Sequence, residues 1–480
     1  MAAGAAGLLT LPATPAPARS QAPTTSAHDL ESLAARLRTT PRTETFALAT
    51  ELIRAGVGIP ALLGAIFLCG VREIRPRPHG ILHSVMMVGS SFQFADAASP
   101  TESWLAVLWN LDDLKRSMEE DITEAGDWSL PPRREGRTQS PDAARNELVA
   151  AMEAWDAARA DRALAAFLPH CDRAALFEVL WPLLARCYAF IGHKIIYAMQ
   201  VERVLGRIGW RYAEPALRSL VMASLVGRDT AAFDRSRDQA RRFPAGWEHG
   251  REDPAQSAAL LRALRAANPP EAQELIVHAV RDGLGPQTVW DALRLFGSEV
   301  FLKRRGRTAD TGRQALLPVH ALTVVNALGH AARSARLEGT RRILVLQAAG
   351  WLAAMRDDLA GLADFSMAGT GIEALGEGAD PGRALGPLLD EASPARLRAY
   401  LDAAPEVRER YSAHLRHALV RKGQEHHQHK YAAAMQEESR LVHPRWTSRI
   451  LAPAVDYIAH PKDPETEVYR RAVRAMKAAG

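Results

Sequence analysis

Leu30-Glu31-Ser32-Leu33-Ala34-Ala35-Arg36-Leu37, followed by Phe46-Ala47-Leu48-Ala49-Thr50-Glu51-Leu52-Ile53, decides the fold. Apolar residues at Leu30, Leu33, Ala34 and Leu37, and again at Phe46, Leu48, Leu52 and Ile53, recur at the three- and four-residue spacing that lines one face of a helix. Outward from this stretch the same spacing continues through 79–96, 101–121, 142–168, 172–206, 213–226, 255–267, 270–283, 286–301, 316–336, 339–360, 393–421, 424–440 and 445–458. Short Gly, Pro or Asp breaks separate these segments, and strand-like alternation is scarce. The pattern predicts an all-α protein. No period of roughly 30 to 50 residues repeats, so an irregular superhelical bundle of many helices is expected instead of a regular solenoid. Residues 29–480 read as one extended helical domain, and a subdomain break, if there is one, falls in the polar loop 227–254. Two further polar loops lie at 122–141 and 303–314.

The chain has 480 residues, 47% hydrophobic and 24% charged, which excludes a peptide hormone, a fibre and a disulfide scaffold. Cys69, Cys171 and Cys187 form no Cys-x-x-Cys pair and read as buried thiols. The net charge is +5, yet only seven of the 60 basic residues are Lys. An Ala-rich, Arg-over-Lys chain points to coding bias, and no segment interleaves aromatic and basic residues, so nucleic acid is not an expected partner. The basic run Lys303–Arg307 reads as a solvated turn. Residues 1–28 are rich in Ala, Pro, Ser and Thr and read as a disordered tail or, with Ala16-Pro17-Ala18, as the remnant of an export signal. The first reading implies the cytoplasm and the second export. No stretch is expected to span a membrane; the longest apolar one, Val57–Val71, contains Pro60 and reads as a buried helix pair or a bent helix. The cluster Asp112, Asp113, Glu119, Glu120 and Asp121, with Lys115 and Arg116 between its turns, reads as a solvated helix face.

Four apolar segments carry polar groups where burial is expected. In the first, His79 and His83 are four residues apart, and a helix over both, starting after Pro78, puts them within reach of one metal ion. The competing reading is one capping and one core histidine. In the second, Arg186, His193, Tyr197 and Gln200 form a polar stripe along a continuous helix, either a structural network or the wall of a ligand site. Tyr197 and Lys194 are the candidates there for handling protons. In the third, Thr323, Asn326 and His330 share a face with His320 about 80° away, although His330 also suits a surface position. The fourth is Glu425-His426-His427-Gln428-His429, with Glu437 two turns beyond His429 near the same face. Helical geometry puts His426 and His429 together and His427 elsewhere, so at most two ligands are expected from this tract; an exposed, functionless cluster is the alternative.

Neutral imidazoles gathered from facing helices suit iron, zinc or copper. The chain has no Glu-x-x-His pair, no zincin motif, no nucleophile elbow, no Walker A loop and no Gly-x-Gly-x-x-Gly after a strand, which removes hydrolase, NTPase and Rossmann readings.

His79-Gly80-Ile81-Leu82-His83 resembles the His-x-x-x-His segment of questin oxidase-like proteins, and Val319-His320-Ala321-Leu322-Thr323 resembles their later His-Ala-x-Thr stretch. The two segments make up under a tenth of the chain. Gly192–Tyr197 and the His-rich segment before Glu437 resemble a bacterial all-helical family to which no activity attaches. The questin oxidase resemblance implies an all-helical enzyme that inserts oxygen into a bulky aromatic substrate using NADPH without a flavin, with His83 and His320 at its site. The expectation from residues and resemblance together is a metal-dependent oxidoreductase, a monooxygenase or oxidase with iron as the first choice, acting on a small organic substrate. Its pocket is lined by His79, His83, His193, His320, His330, the 426–429 tract and Glu437. The rival expectations are a helical scaffold with structural histidines and a metal-sequestering protein.

Overall fold

Asp29 opens the first helix, Leu30–Thr39, by accepting hydrogen bonds from the amides of Glu31 and Ser32, and Leu30, Leu33, Ala34 and Leu37 are the residues it buries. The computed structural model describes residues 29–77, 82–132, 140–187, 189–228, 230, 235–304, 313–361, 385–458 and 462–479. Among these residues the chain forms 22 α-helices and no strand, with a single isolated bridge between Arg251 and Leu284. The all-α class read from the apolar spacing is the observed one. One cluster of buried side chains runs from Leu30 to Ala475.

Side-chain caps open eight of the described α-helices. Asp156, Asp172, Asp253 and Ser393 each accept from a first-turn amide, and Ser99 and Asn268 complete capping boxes with Glu102 and Glu271. Three expected helices are broken in two. The 142–168 segment turns at Trp155, held at φ 59°, and Pro405 interrupts 393–421. The 172–206 segment ends at Ala185 and restarts at His193. Between them Phe190, Ile191 and Gly192 follow one another at φ 63°, 51° and 84°. Left-handed backbone costs roughly 1–2 kcal/mol per non-glycine residue, and for β-branched Ile191 it is rarer still. The turn severs Arg186 from the expected polar stripe and makes His193 the first residue of a new helix.

One further expectation is corrected. Asp112, Asp113 and Asp121 do not form a solvated face; all three are buried. Arg42 and Arg471 donate to Asp112 at 2.7 and 3.0 Å, and the Arg75 amide and Arg77 donate to Asp121. By length and composition the helix Ala315–Ser334 could cross a membrane, but 89% of its apolar window is buried against other helices.

Four helices position the candidate site: His83–Ala97, His193–Ile208, Arg313–Ser334 and His426–Leu441. Each packs on two others around a closed ring. Gly89 allows the first two to approach, because a Cβ there would lie 1.8 Å from Gln200 Oε1. The four run in the same direction. His83, His193, His320 and His427 meet at one end, and Gln93, Arg203, His330 and Glu437, each ten residues further on, meet at the other. Ten residues of helix separate the two polar layers by about 15 Å.

Candidate metal centre

His83, His193 and His426–His427 occupy the first positions of their helices, so three helix N-termini converge where these side chains meet. His320 joins them from within its helix. The His83 and His193 ring centroids are 4.5 Å apart, His193 and His320 4.7 Å, and His320 and His427 5.2 Å. His426 stacks on His83 at 4.2 Å. One ligating nitrogen from each of His83, His193 and His427 lies within 4.8 Å of the other two. Around a tetrahedral ion at 2.0–2.1 Å such nitrogens stand about 3.3 Å apart, so each ring needs to move by less than about 1 Å to bind.

An outer nitrogen holds the His320 ring, and carboxylates stand behind those of His426 and His427. His320 Nδ1 donates to the Leu316 carbonyl at 2.7 Å, leaving Nε2 facing His193 Nε2 at 2.8 Å. His426 Nδ1 is 3.5 Å from Asp113, and His427 Nδ1 is 3.7 Å from Glu425, which accepts from the Tyr457 hydroxyl. Carboxylates and carbonyls behind histidine ligands fix tautomer and ring direction in this way. Neither nitrogen of His427 makes a hydrogen bond, although the residue is 96% buried. A buried orphan of this kind costs about 1–3 kcal/mol, and a bound ion would satisfy one of the two nitrogens.

Burial, with Lys430 and the neighbouring imidazoles adding to it, holds His83 and His427 well below the ordinary histidine range. The same causes push His320 down to about 3. These rings are neutral at physiological pH, the form that binds metal. Burial pushes Asp113 up, but His426 and Arg116 outweigh it and hold the carboxyl at about 2. Lys430 contacts His83 Nδ1, and burial lowers its ammonium to about 7 against the pull of Asp113 and Glu425. As an amine, Lys430 accepts from His83 Nδ1–H and leaves Nε2 free for an ion.

The structure brings His83, His193, His320, His426 and His427 together and places the other expected ligands elsewhere. His79 lies outside the described residues. His429 packs on Trp109, centroids 4.2 Å apart. The prediction that His426 and His429 act together fails because the tract sits at the helix start, where His426 and His427 both reach past the terminus. Glu437 belongs to the far polar layer. Its carboxylate accepts from Arg203 at 2.7 Å and from Asn326 and Arg333 at 2.9 Å. His330 stands beside it between Arg203 and Glu202. This layer borders two cavities of ≈ 360 and ≈ 600 Å³ that share Gln93, Asp96 and Glu437. Lys194 turns away from the histidines, donating to the Gly227 carbonyl at 2.7 Å and to Cys187 Sγ at 3.0 Å. The Tyr197 hydroxyl is 2.9 Å from Ser219 Oγ.

Sequence reasoning missed Lys430, Asp113 and Glu425. Lys430 follows His426 by four residues and His427 by three, a helical spacing that places it on their side and was available as a signal.

His429 separates core from ligand behaviour. Burial pushes it down to about 3, so on unfolding in acid it takes up a proton that the folded state refuses. Its contribution to stability is complete above pH 6.5 and is lost progressively from there to about pH 3. The His429→Leu variant is expected to flatten the acid limb of a urea-denaturation series by up to about 1.4 kcal/mol per pH unit, with metal content unchanged. A steep limb retained in the variant would contradict the assignment.

No protein-family model, curated protein or solved structure matches the chain.

Proposed function

We propose that this protein is a metal-dependent oxidoreductase whose ion is held by His83, His193 and His427, with His320 and His426 completing the shell. The observation that carries this reading is the convergence of three ligating nitrogens within 4.8 Å of one another in a buried site. Imidazole-only ligation suits iron, copper or zinc, and iron is our first choice for oxygen chemistry on an organic, aromatic substrate. The proton-handling role expected of Lys194 or Tyr197 passes to Lys430, which touches His83. The resemblance to questin oxidase-like proteins adds NADPH as the proposed electron source.

One observation favours a second reading, a structural or storage metal: His83, His193, His320 and His427 are all at most 5% exposed. A closed shell is typical of structural sites, and catalytic ones keep a position open. Elemental analysis of protein purified without a His tag, followed by anaerobic Fe(II) loading and exposure to dioxygen, separates the two. The oxidoreductase reading predicts about one ion per chain and oxygen uptake that depends on the loaded ion. A stoichiometric ion inert to oxygen would overturn it in favour of the second reading. Protein that takes up no ion would overturn both.

A further inference from the structure

Trp155 occupies a backbone position that favours glycine. Past the end of the helix Pro141–Glu153 the Trp155 amide donates to the Met152 carbonyl and the Asp156 amide to the Ala151 carbonyl, a paired closure whose left-handed residue is usually Gly. A bulky residue held there at φ 59° marks a place where the surrounding structure over-determines the chain. The surroundings are cationic: the Arg186 guanidinium lies 4.5 Å from the indole centroid and that of Arg228 5.8 Å. Arg186 also donates to the Met152 carbonyl, which ties it to the same turn.

Trp155, Arg186 and Arg228 line a cavity of ≈ 160 Å³ together with Arg237, Glu153 and Gln347. Guanidinium groups stay charged throughout the physiological pH range, so the three arginines bring three positive charges. Glu153, the one carboxylate among the described lining residues, pairs with Arg237 at 3.0 Å. Arg186 and Arg228 form no ion pair among the described residues, which leaves two positive charges over. Burial lowers the Arg186 guanidinium, and Arg237 and Arg228 push it further down against the pull of Glu153. Independently, two buried polar atoms on the lining residues are unsatisfied, Arg186 Nε and Gln347 Oε1, and Gln347 is only 2% exposed. A half-turn of the Gln347 amide exchanges its acceptor for a donor, so the same side chain can bond an anion. Unsatisfied groups gathered at one cavity wall point to a ligand that satisfies them.

We infer that this cavity binds a phosphate group, either free phosphate or the end group of a small phosphomonoester. The two surplus guanidinium charges match a phosphate dianion, whereas a carboxylate would balance only one of them. The planar forks of Arg186 and Arg228 suit paired hydrogen bonds to phosphate oxygens, and the Trp155 ring holds both guanidinium groups in place. None of the lining residues is a histidine of the metal cluster, so the inference stands whether or not the metal reading does.

The test is isothermal titration of the full-length protein with inorganic phosphate, phenyl phosphate and acetate, at an ionic strength held constant with sodium chloride. The expected result is saturable binding of one phosphate group per chain, with acetate weaker by at least about tenfold. The Arg228→Gln variant is expected to lose at least about tenfold in phosphate affinity. Arg228 is exposed, so this replacement leaves the fold intact, which an unchanged urea midpoint verifies. The Arg241→Gln variant, which removes an exposed arginine paired with Asp238 outside the cavity, is expected to bind as the wild type does. Whichever of the two phosphates binds more tightly identifies the source of the group. Absence of saturable phosphate binding, equal affinity for acetate, or equal affinity in Arg228→Gln and Arg241→Gln would overturn the inference.

Discussion

The His427→Ala variant is expected to lose more than about 100-fold in metal affinity while its metal-free form unfolds at close to the wild-type denaturant midpoint. Removal of groups that merely orient a ligand commonly costs 10–100-fold, so loss of a ligand itself should exceed that range. The stability side follows from burial. His427 is almost fully enclosed, and its two nitrogens make no hydrogen bond in the folded protein. Truncation deletes packing, which costs about 1–3 kcal/mol for a side chain of this size, but it also removes an unsatisfied polar group worth a similar amount. A histidine kept for structure behaves oppositely. Its loss would lower the denaturation midpoint and leave metal content unchanged, and that pattern would count against the centre. Isothermal titration of the metal-free proteins, paired with urea unfolding followed by circular dichroism, measures both quantities.

The Glu438→Leu variant is expected to destabilise the fold by about 3–5 kcal/mol, the cost of stranding a buried charge. Glu438 is fully buried and accepts from Arg294 Nε at 2.5 Å and from Asn326 Nδ2 at 2.7 Å. Arg294 is itself 4% exposed, and its other carboxylate neighbour, Asp291, is 3.6 Å away. Asp291 cannot substitute fully, since burial pushes its own carboxyl up to about 6. Metal content of the folded fraction should remain at the wild-type level, because Glu438 lies eleven residues along the helix from His427, about 16 Å. A variant as stable as wild type would show that the far polar layer is not what holds the bundle's second end together.

The fold was legible from residues such as Leu30, Leu33, Ala34 and Leu37 because helical periodicity is a local property and their burial follows from it. The breaks were less so. Ile191 in left-handed backbone contradicts its intrinsic preference, so only tertiary packing explains why the helix restarts at His193. That single break decided how the site was read, since a continuous helix aligns His193 with Arg186, Tyr197 and Gln200. The restart instead points His193 past a terminus toward His320. The same effect hid the pairing of His426 with His427, which helical-wheel reasoning separates and a helix start allows. Glu437 fell near the face of His429 on that wheel, but wheel position says nothing about distance along the axis, and the structure gives its carboxylate to Arg203 and Arg333. Asp113 looked solvated because charged neighbours surround it in sequence, whereas Arg116 and His426 enclose it in space.

X-ray absorption at the metal edge of the loaded, untagged protein tests the central claim most directly. A shell of at least three imidazole nitrogens at about 2.0–2.1 Å, with the outer-ring scattering typical of histidine and no sulfur, is the predicted result. A shell of oxygens alone, a sulfur ligand, or the same spectrum from the His83→Ala/His193→Ala double variant would contradict it.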